Sequence, residues 1–434
     1  MSTIIRNAGI VGPRRVEKGS LRIEEGRITA LGRVRPRKGE KVVSADGLIA
    51  LPGFVDIHVH GGEGFEPVLG MYDPKTKKFD TSAETYRKRL PRLMKYFARH
   101  GVTRALLATF AAPINTLERA LGRLAEYAEQ PTNGQDGARL EGVFIEGSFI
   151  KQPECAGAQD PEHFVKPAQE TFNRLQKSAG GRIRYINVVP EYGKVAEKFI
   201  AWLAKSGVTV GMAHTNCPAD QVHRCAKAGL RIAQHFLNGS IGSSYKPFHG
   251  GNVVEAVLSN PDIHVELICD GWHLNPAYVL DVIRRKGIGR VNVVTDATFV
   301  ANQPGVKEFQ VGGVKGEVSP TGEFLRVRGT KATLFGSVCT MDKAFENVVN
   351  WLTSDIEGMW TGGRRPLTLD RALVQAARAC STNPAQMIAI GGRNGAGGLS
   401  PGRKADIVLA RLDGKPGDYR LKVKRAFVEG RQVV

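Results

Sequence analysis

Between residues 54 and 297, short apolar runs alternate with amphipathic helical stretches. The runs are FVDIHVH (54–60), RALLATF (104–110), GVFIEG (142–147), RYINVVPE (184–191), VTVGMAH (208–214), RIAQHFL (231–237), HVELICDG (264–271) and RVNVVTDA (290–297). Helix-periodic stretches such as ETYRKRLPRLMKYFARH, LERALGRLAEYAEQ, AEKFIAWLAKSG and PAYVLDVIRRKG lie between them. Near-continuous apolar strands have both faces buried, as in a parallel sheet covered by helices. Eight such strands, mostly with a helix after each, predict an α/β protein built on a (β/α)8 TIM-like barrel. A doubly wound sheet would show the same runs.

Two stretches break the rhythm. Residues 61–82 are polar and lack a clear period. Residues 298–336 are rich in Gly and β-formers (EFQVGGVKGEVS, TGEFLRVRG) and are expected to form a loop or β-hairpin insertion over the barrel mouth. Helical patterns return in MDKAFENVVNWLTS (341–354) and LDRALVQAARACST (369–382). Both chain ends are β-rich and helix-poor. LRIEEGRITALG has two β-type runs around a Gly turn, and GLSPGRKADIVLARL and LKVKRAFVEGRQVV read alike.

Composition narrows the class. The chain has 434 residues, 42% hydrophobic and 24% charged, enough to bury a large core and too apolar for a disordered polycation. Lys and Arg number 61 against 42 Asp and Glu, a net charge of +19 that raises nucleic acid as a partner. The excess has a location, however. Residues 1–50 hold 11 basic against 5 acidic residues and residues 400–434 hold 9 against 4. More than half of the surplus therefore sits in the β-rich ends, away from the strand ends of the middle region. Weak, salt-sensitive polyanion contact is the expectation, not specific nucleic-acid binding. Six scattered Cys with no CxxC pair indicate neither a disulfide framework nor a zinc ribbon. The first residues lack the design of a secretory signal, and no window approaches 18 uninterrupted apolar residues. A cytoplasmic protein without a membrane partner is expected.

Chemistry-bearing residues gather where the apolar runs end. His58 and His60 close the first run, and alternation along a strand points both the same way. Glu146 ends the third, His214 the fifth and Asp296 the eighth, while His235 lies within the sixth. Barrel active sites lie at the C-terminal ends of the strands. A lone HxH, or a lone His in an apolar run, is ordinarily a hydrogen-bonded core residue. Six metal-competent side chains at corresponding places are not expected by chance, and four His with two carboxylates suit zinc or a similar divalent ion.

These residues carry a resemblance. LPGFVDIHVHG resembles the opening of the amidohydrolase superfamily, and the details resemble the N-acetylglucosamine-6-phosphate deacetylase family. FIEGSFI is similar to that family's Leu-Glu-Gly-Pro-Phe segment, and GAQDPEHF, VVPE, AHTNC, QHFLNG, DGWH, VTDA and LFGS follow in the family's order. The resemblance implies Glu146, His214 and His235 as ligands of a main metal, with His58 and His60 matching a pair that holds a second metal in some members. It implies one or two divalent ions, zinc favoured, and Asp296 as the catalytic acid/base. Asn238, Gly239 and His273 match substrate-binding positions. The implied domains are a β-sandwich from residues 1–52 and 395–434 and a barrel from 53–394. The implied activity is removal of the acetyl group from an N-acetylhexosamine 6-phosphate by a homodimer, the gluco epimer favoured. The galacto epimer or another acetamido sugar is the close alternative. A basic polyanion-binding protein on a degenerate barrel is the distant one, and it predicts missing catalytic groups.

The sequence departs from the family at several places. Ser148 replaces the Pro after Glu-Gly, and Gln159 replaces a His. The loop after His235, NGSIGSSYKPFHGG, lacks the family's phosphate-binding Arg, so Lys246 or His249 is expected to take the phosphate as a point charge. The fourth run ends in Glu191 without the Lys that dihydroorotase-like relatives use between two metals. Glu191 is read as a supporting or structural residue.

Overall fold

The computed structural model describes residues 2–239, 250–358 and 365–434. Its centre is an eight-stranded all-parallel sheet whose strands neighbour one another in chain order. They are Phe54–Val59, Val102–Ala108, Arg139–Ile145, Ile183–Asn187, Thr209–Met212, Leu230–Ala233, His264–Ile268 and Val291–Val294. Backbone bonds from Asp296 to the His58 carbonyl (2.9 Å) and from His60 to the Ala297 carbonyl (2.7 Å) join the last strand to the first. The sheet thus closes into the expected barrel. An α-helix follows each strand, from Ala83–Arg99 after the first to Met341–Thr353 after the eighth.

The apolar runs bury completely, as their composition requires. Every residue of the first two strands is buried. Val55, Leu106, Phe144, Tyr185, Ile232 and Val294 form one cluster with Ile388, which follows the helix Asn383–Met387. The fifth strand contributes Gly211 here. A Cβ on it would lie 2.8 Å from the Tyr185 hydroxyl, so only glycine leaves room for that ring.

The two chain ends build one sheet. Ile49–Pro52 pairs antiparallel with Ile407–Asp413, joining the N-terminal strands Thr3–Val11, Val16–Glu24 and Arg27–Gly32 to the C-terminal Arg420–Val428. This accessory sheet has its own apolar core, including Ile5, Leu21, Ile28, Ile407 and Phe427. Arg104, 1% exposed, ties it to the barrel. Its guanidinium donates to Asp406 at 2.6 Å, to Glu429 at 2.9 Å and to Glu141.

Both insertions are β-structured. The 298–336 stretch forms the meander Glu308–Val311, Val314–Val318 and Leu325–Val327, as the β-forming sequence implied. The 61–82 stretch, without a period to read, also forms a small sheet: Phe65–Glu66, Gly70–Asp73 and Lys78–Asp80. Its anchors are aromatic. Tyr72 and Phe79 pack on Phe299 with ring centroids 5.0 and 5.1 Å away, and Phe299 packs on Phe309 of the meander. The two insertions thereby form one aromatic wall beside the mouth.

Candidate metal centre and active site

His58 lies inside the first strand and His60 just beyond it, while four other strands stop one or two residues before a key side chain. The third ends at Ile145 before Glu146, the fifth at Met212 before His214, the sixth at Ala233 before His235 and the eighth at Val294 before Asp296. His235 therefore does not sit within a strand, as its run implied; it lies in the turn beyond it. His214, His235 and Asp296 have φ of 55°, 26° and 49°. Left-handed backbone is rare for non-glycine residues and concentrates at functional sites, where surrounding structure enforces it. Leaving the sheet in this way tips the side chains over the mouth.

They converge tightly. Glu146 Oε1 is 3.0 Å from His235 Nε2, 3.6 Å from His214 Nε2 and 3.5 Å from His58 Nε2. Glu146 Oε2 is 3.4 Å from His60 Nε2. Asp296 Oδ1 lies 3.3 Å from His60 Nε2 and 3.5 Å from His58 Nε2. Two overlapping sets can each hold a cation: His58, Glu146 and His235, and His58, His60 and Asp296. His214 Nε2 joins the first set and is buried without a hydrogen-bond partner. Imidazole nitrogens facing carboxylate oxygens in this manner are the donor chemistry of zinc and similar divalent ions, so these residues fit such a metal.

Supporting groups orient the ligands. His214 Nδ1 donates to the Cys155 carbonyl at 3.0 Å, turning Nε2 inward. His58 Nδ1 is 2.9 Å from Glu266 Oε2, while Glu266 Oε1 accepts the Tyr185 hydroxyl at 2.8 Å. Gln159 is fixed at both ends. Its Oε1 accepts the Ala111 N–H at 2.7 Å, which leaves Nε2 to donate to Glu146 Oε2 at 2.5 Å. Glu191 accepts Thr215 Oγ1 and the Asn216 N–H, both at 2.7 Å, and so pins the backbone beside His214. That is the structural role expected of it.

Electrostatics follow from the packing. Burial opposes ionisation of Glu146, yet His214 and His235 hold its carboxyl well below the ordinary range. Burial likewise opposes Asp296, but His58 and His60 keep it low. Burial would depress His58 and His60; the carboxylates around them instead raise His58 well above its usual value and His60 to about 9. The cluster is thus organised around charge of both signs.

A cavity of about 560 Å³ opens over this cluster. Asn238 and Gly239 line it, and the Gly239 carbonyl accepts the His214 N–H. A Cβ on Gly239 would overlap the His235 ring, so this position admits only glycine. His273 also lines the cavity, with Nδ1 held by Asp270 at 2.7 Å. Lys246 and His249 lie outside the described residues. Val311 of the meander, with Leu334 and Phe335 from the segment after it, closes one side.

Sequence reasoning missed Glu266, Glu66 and the clamp made by Gln159. The acidic residue inside the apolar run HVELICDG was the available signal for Glu266. A carboxylate in a strand buried on both faces requires partners.

No protein-family model matches the chain. It is 27% identical over 424 residues to the N-acetylglucosamine-6-phosphate deacetylase of Bacillus subtilis, covering 95% of this chain and 94% of that one. It is 28% identical over 353 residues to the enzyme of the same name from Lysinibacillus sphaericus, covering 80% and 83%. The N-acetylgalactosamine-6-phosphate deacetylase of Escherichia coli O157:H7 is 26% identical over 410 residues, covering 94% and 93%. Among solved structures, the N-acetyl-D-glucosamine-6-phosphate deacetylase of Mycobacterium smegmatis superposes with a TM-score of 0.79 at 24% identity over 100% of both chains. The Pasteurella multocida deacetylase gives 0.78 at 21% identity, covering 100% and 99%. Over nearly all of its length the chain is therefore similar in sequence to N-acetylglucosamine-6-phosphate deacetylases, and it shares the fold of the solved ones.

Proposed function

We propose that this protein is a metal-dependent hydrolase that removes the acetyl group from an N-acetylhexosamine 6-phosphate, N-acetylglucosamine 6-phosphate favoured. The observation that carries the reading is the meeting of Glu146, His214, His235, His58, His60 and Asp296 beneath one cavity, in a chain whose curated relatives are deacetylases of such sugars. Glu146, His214 and His235 would hold the main ion, and His58 and His60 a second; zinc is the favoured metal. When bound, such an ion lowers the pKa of a bound water toward about 7 and polarises an amide carbonyl.

The chain's own groups do the rest. Asp296, kept ionised by His58 and His60, takes the proton of the attacking water. It then delivers that proton to the departing nitrogen, because an amine anion is a poor leaving group. The products are acetate and an amino sugar phosphate. His273, oriented by Asp270, offers its other ring nitrogen to the sugar, and Asn238 and Gly239 contact it from the loop beyond His235. Lys246 and His249 would meet the phosphate. We place the domain limits at 1–52 and 395–434 for the accessory domain and 53–394 for the barrel, in a cytoplasmic homodimer. Among the described residues no helix is long and apolar enough to cross a membrane.

The relative that acts on N-acetylgalactosamine 6-phosphate favours one second reading, the galacto epimer as substrate. A panel of acetamido sugars, gluco and galacto, each with and without the 6-phosphate, tests both readings by acetate release. The gluco 6-phosphate should be fastest. Equal rates with and without phosphate would reject phosphate recognition. Metal analysis after chelator-free purification should find one or two ions per chain.

A further inference from the structure

Glu66 is a buried carboxyl in the cavity wall for which the deacetylation chemistry has no use. It is 2% exposed and lines the cavity together with His60 and Phe299. Its Oε2 accepts two backbone N–H groups, from Val68 at 2.7 Å and Leu69 at 2.6 Å. Its Oε1 is buried and has no hydrogen-bond partner. No Lys or Arg is paired with it among the described residues. Burial accordingly pushes the carboxyl up to about 8, against the pull of those N–H groups and of His60. A buried carboxyl oxygen left unsatisfied is costly.

The loop that presents Glu66 is tightly determined. Gly62 and Phe65 exchange backbone bonds of 3.1 and 2.9 Å, and Glu63 and Gly64 donate to the Ala301 and Phe299 carbonyls at 2.8 Å each. Gly61 has φ of 126°, and a Cβ there would overlap the Phe65 carbonyl oxygen. Such tethering holds Glu66 in its place in the cavity wall, and pre-organised polar groups of this kind confer specificity in otherwise apolar pockets.

We propose that Glu66 is a substrate-binding residue and that its Oε1 takes a ring hydroxyl of the bound sugar. This rests on the amino-sugar reading above. A hydroxyl both donates and accepts, so it satisfies the carboxyl whether neutral or ionised; an ammonium group would pair only with the ionised form. The 61–82 insertion thereby reads the substrate as well as walling the cavity.

The test is a double-substitution cycle. Wild type, Glu66→Gln and Glu66→Asp are assayed with the parent N-acetylhexosamine 6-phosphate and its 3-deoxy and 4-deoxy analogues. Gln keeps an oxygen for the Val68 and Leu69 N–H groups, while Asp keeps the charge and withdraws it from the cavity. Both variants should retain wild-type metal content. Each should lose about tenfold in kcat/KM on the parent, mainly through KM. With one deoxy analogue that loss should shrink to within twofold. A loss that is equal for parent and both analogues, or absent for all, would discard Glu66 as a sugar contact and leave it a loop staple. If wild type releases no acetate from any parent sugar, the amino-sugar reading itself falls, and this proposal with it.

Discussion

The molecule contains two buried polar networks that behave oppositely. At the junction with the accessory sheet, Arg104 is surrounded by Asp406, Glu141 and Glu429, and Lys404 reaches Glu429 at 2.7 Å. Opposite charges meet directly, and no side-chain atom of these five residues is buried without a partner. At the barrel mouth, four imidazoles and two carboxylates crowd together, yet His214 Nε2 and His235 Nδ1 remain buried without partners. The first network is complete within the protein and holds two parts of the fold together. The second is complete only with something the chain does not supply. Unpartnered ring nitrogens buried beneath the cavity therefore mark the ligand site more clearly than charge does.

The largest effect should come from Asp296→Asn, which leaves the other metal-facing groups in place and removes the proton carrier. Acetate release should fall by about 10²–10⁴-fold with metal content retained, in line with general acid–base contributions. Near-normal turnover would remove Asp296 from that role. Breaking the other network should affect folding instead. Arg104→Met leaves buried Asp406 without its cation, and stability measured by denaturant should fall by about 3–5 kcal/mol. A loss below about 1 kcal/mol would erase the contrast between the regions.

Smaller perturbations sharpen the comparison. Gln159→Leu removes the N–H that fixes Glu146 Oε2, and metal affinity measured by chelator competition should drop about 10–100-fold. Unchanged affinity would show that His214 and His235 suffice to hold Glu146. The smallest effect concerns pH. Burial opposes ionisation of Glu429, but Lys404 and Arg104 hold its carboxyl down at about 2. A carboxyl depressed on folding adds stability above the unfolded value, about 4.3, and loses it as pH falls toward 2. Acid unfolding between those pH values should be shallower in Glu429→Gln than in wild type, with little change above pH 5. An identical acid limb in both proteins would place the acid-sensitive groups elsewhere.

Much of the site was legible because strand ends carry its residues. The spacing of His58 and His60, and Glu146, His214 and Asp296 at run ends, needed only the period of a strand and the polarity of a barrel. The run implies His235 inside a strand because Phe236 and Leu237 continue its apolar pattern, whereas the backbone turns left-handed at His235 and Leu237. The 61–82 insertion was opaque for another reason. Its buried Tyr72 packs on Phe299, far away in sequence, so no local period records it.

Local pattern by itself determined the eight strands, the helices after them, the β-rich ends and the set of residues able to bind a metal. Those features depend on periodicity and residue chemistry, which a linear chain displays. Tertiary structure alone decided which nitrogen faces which oxygen, that Gln159 clamps Glu146, that Glu266 orients His58, and that Glu66 joins the cavity wall with one oxygen unpartnered. These depend on contacts between residues as far apart as His58 and Glu266, where the geometry of the closed barrel, not any neighbour in sequence, sets the distance.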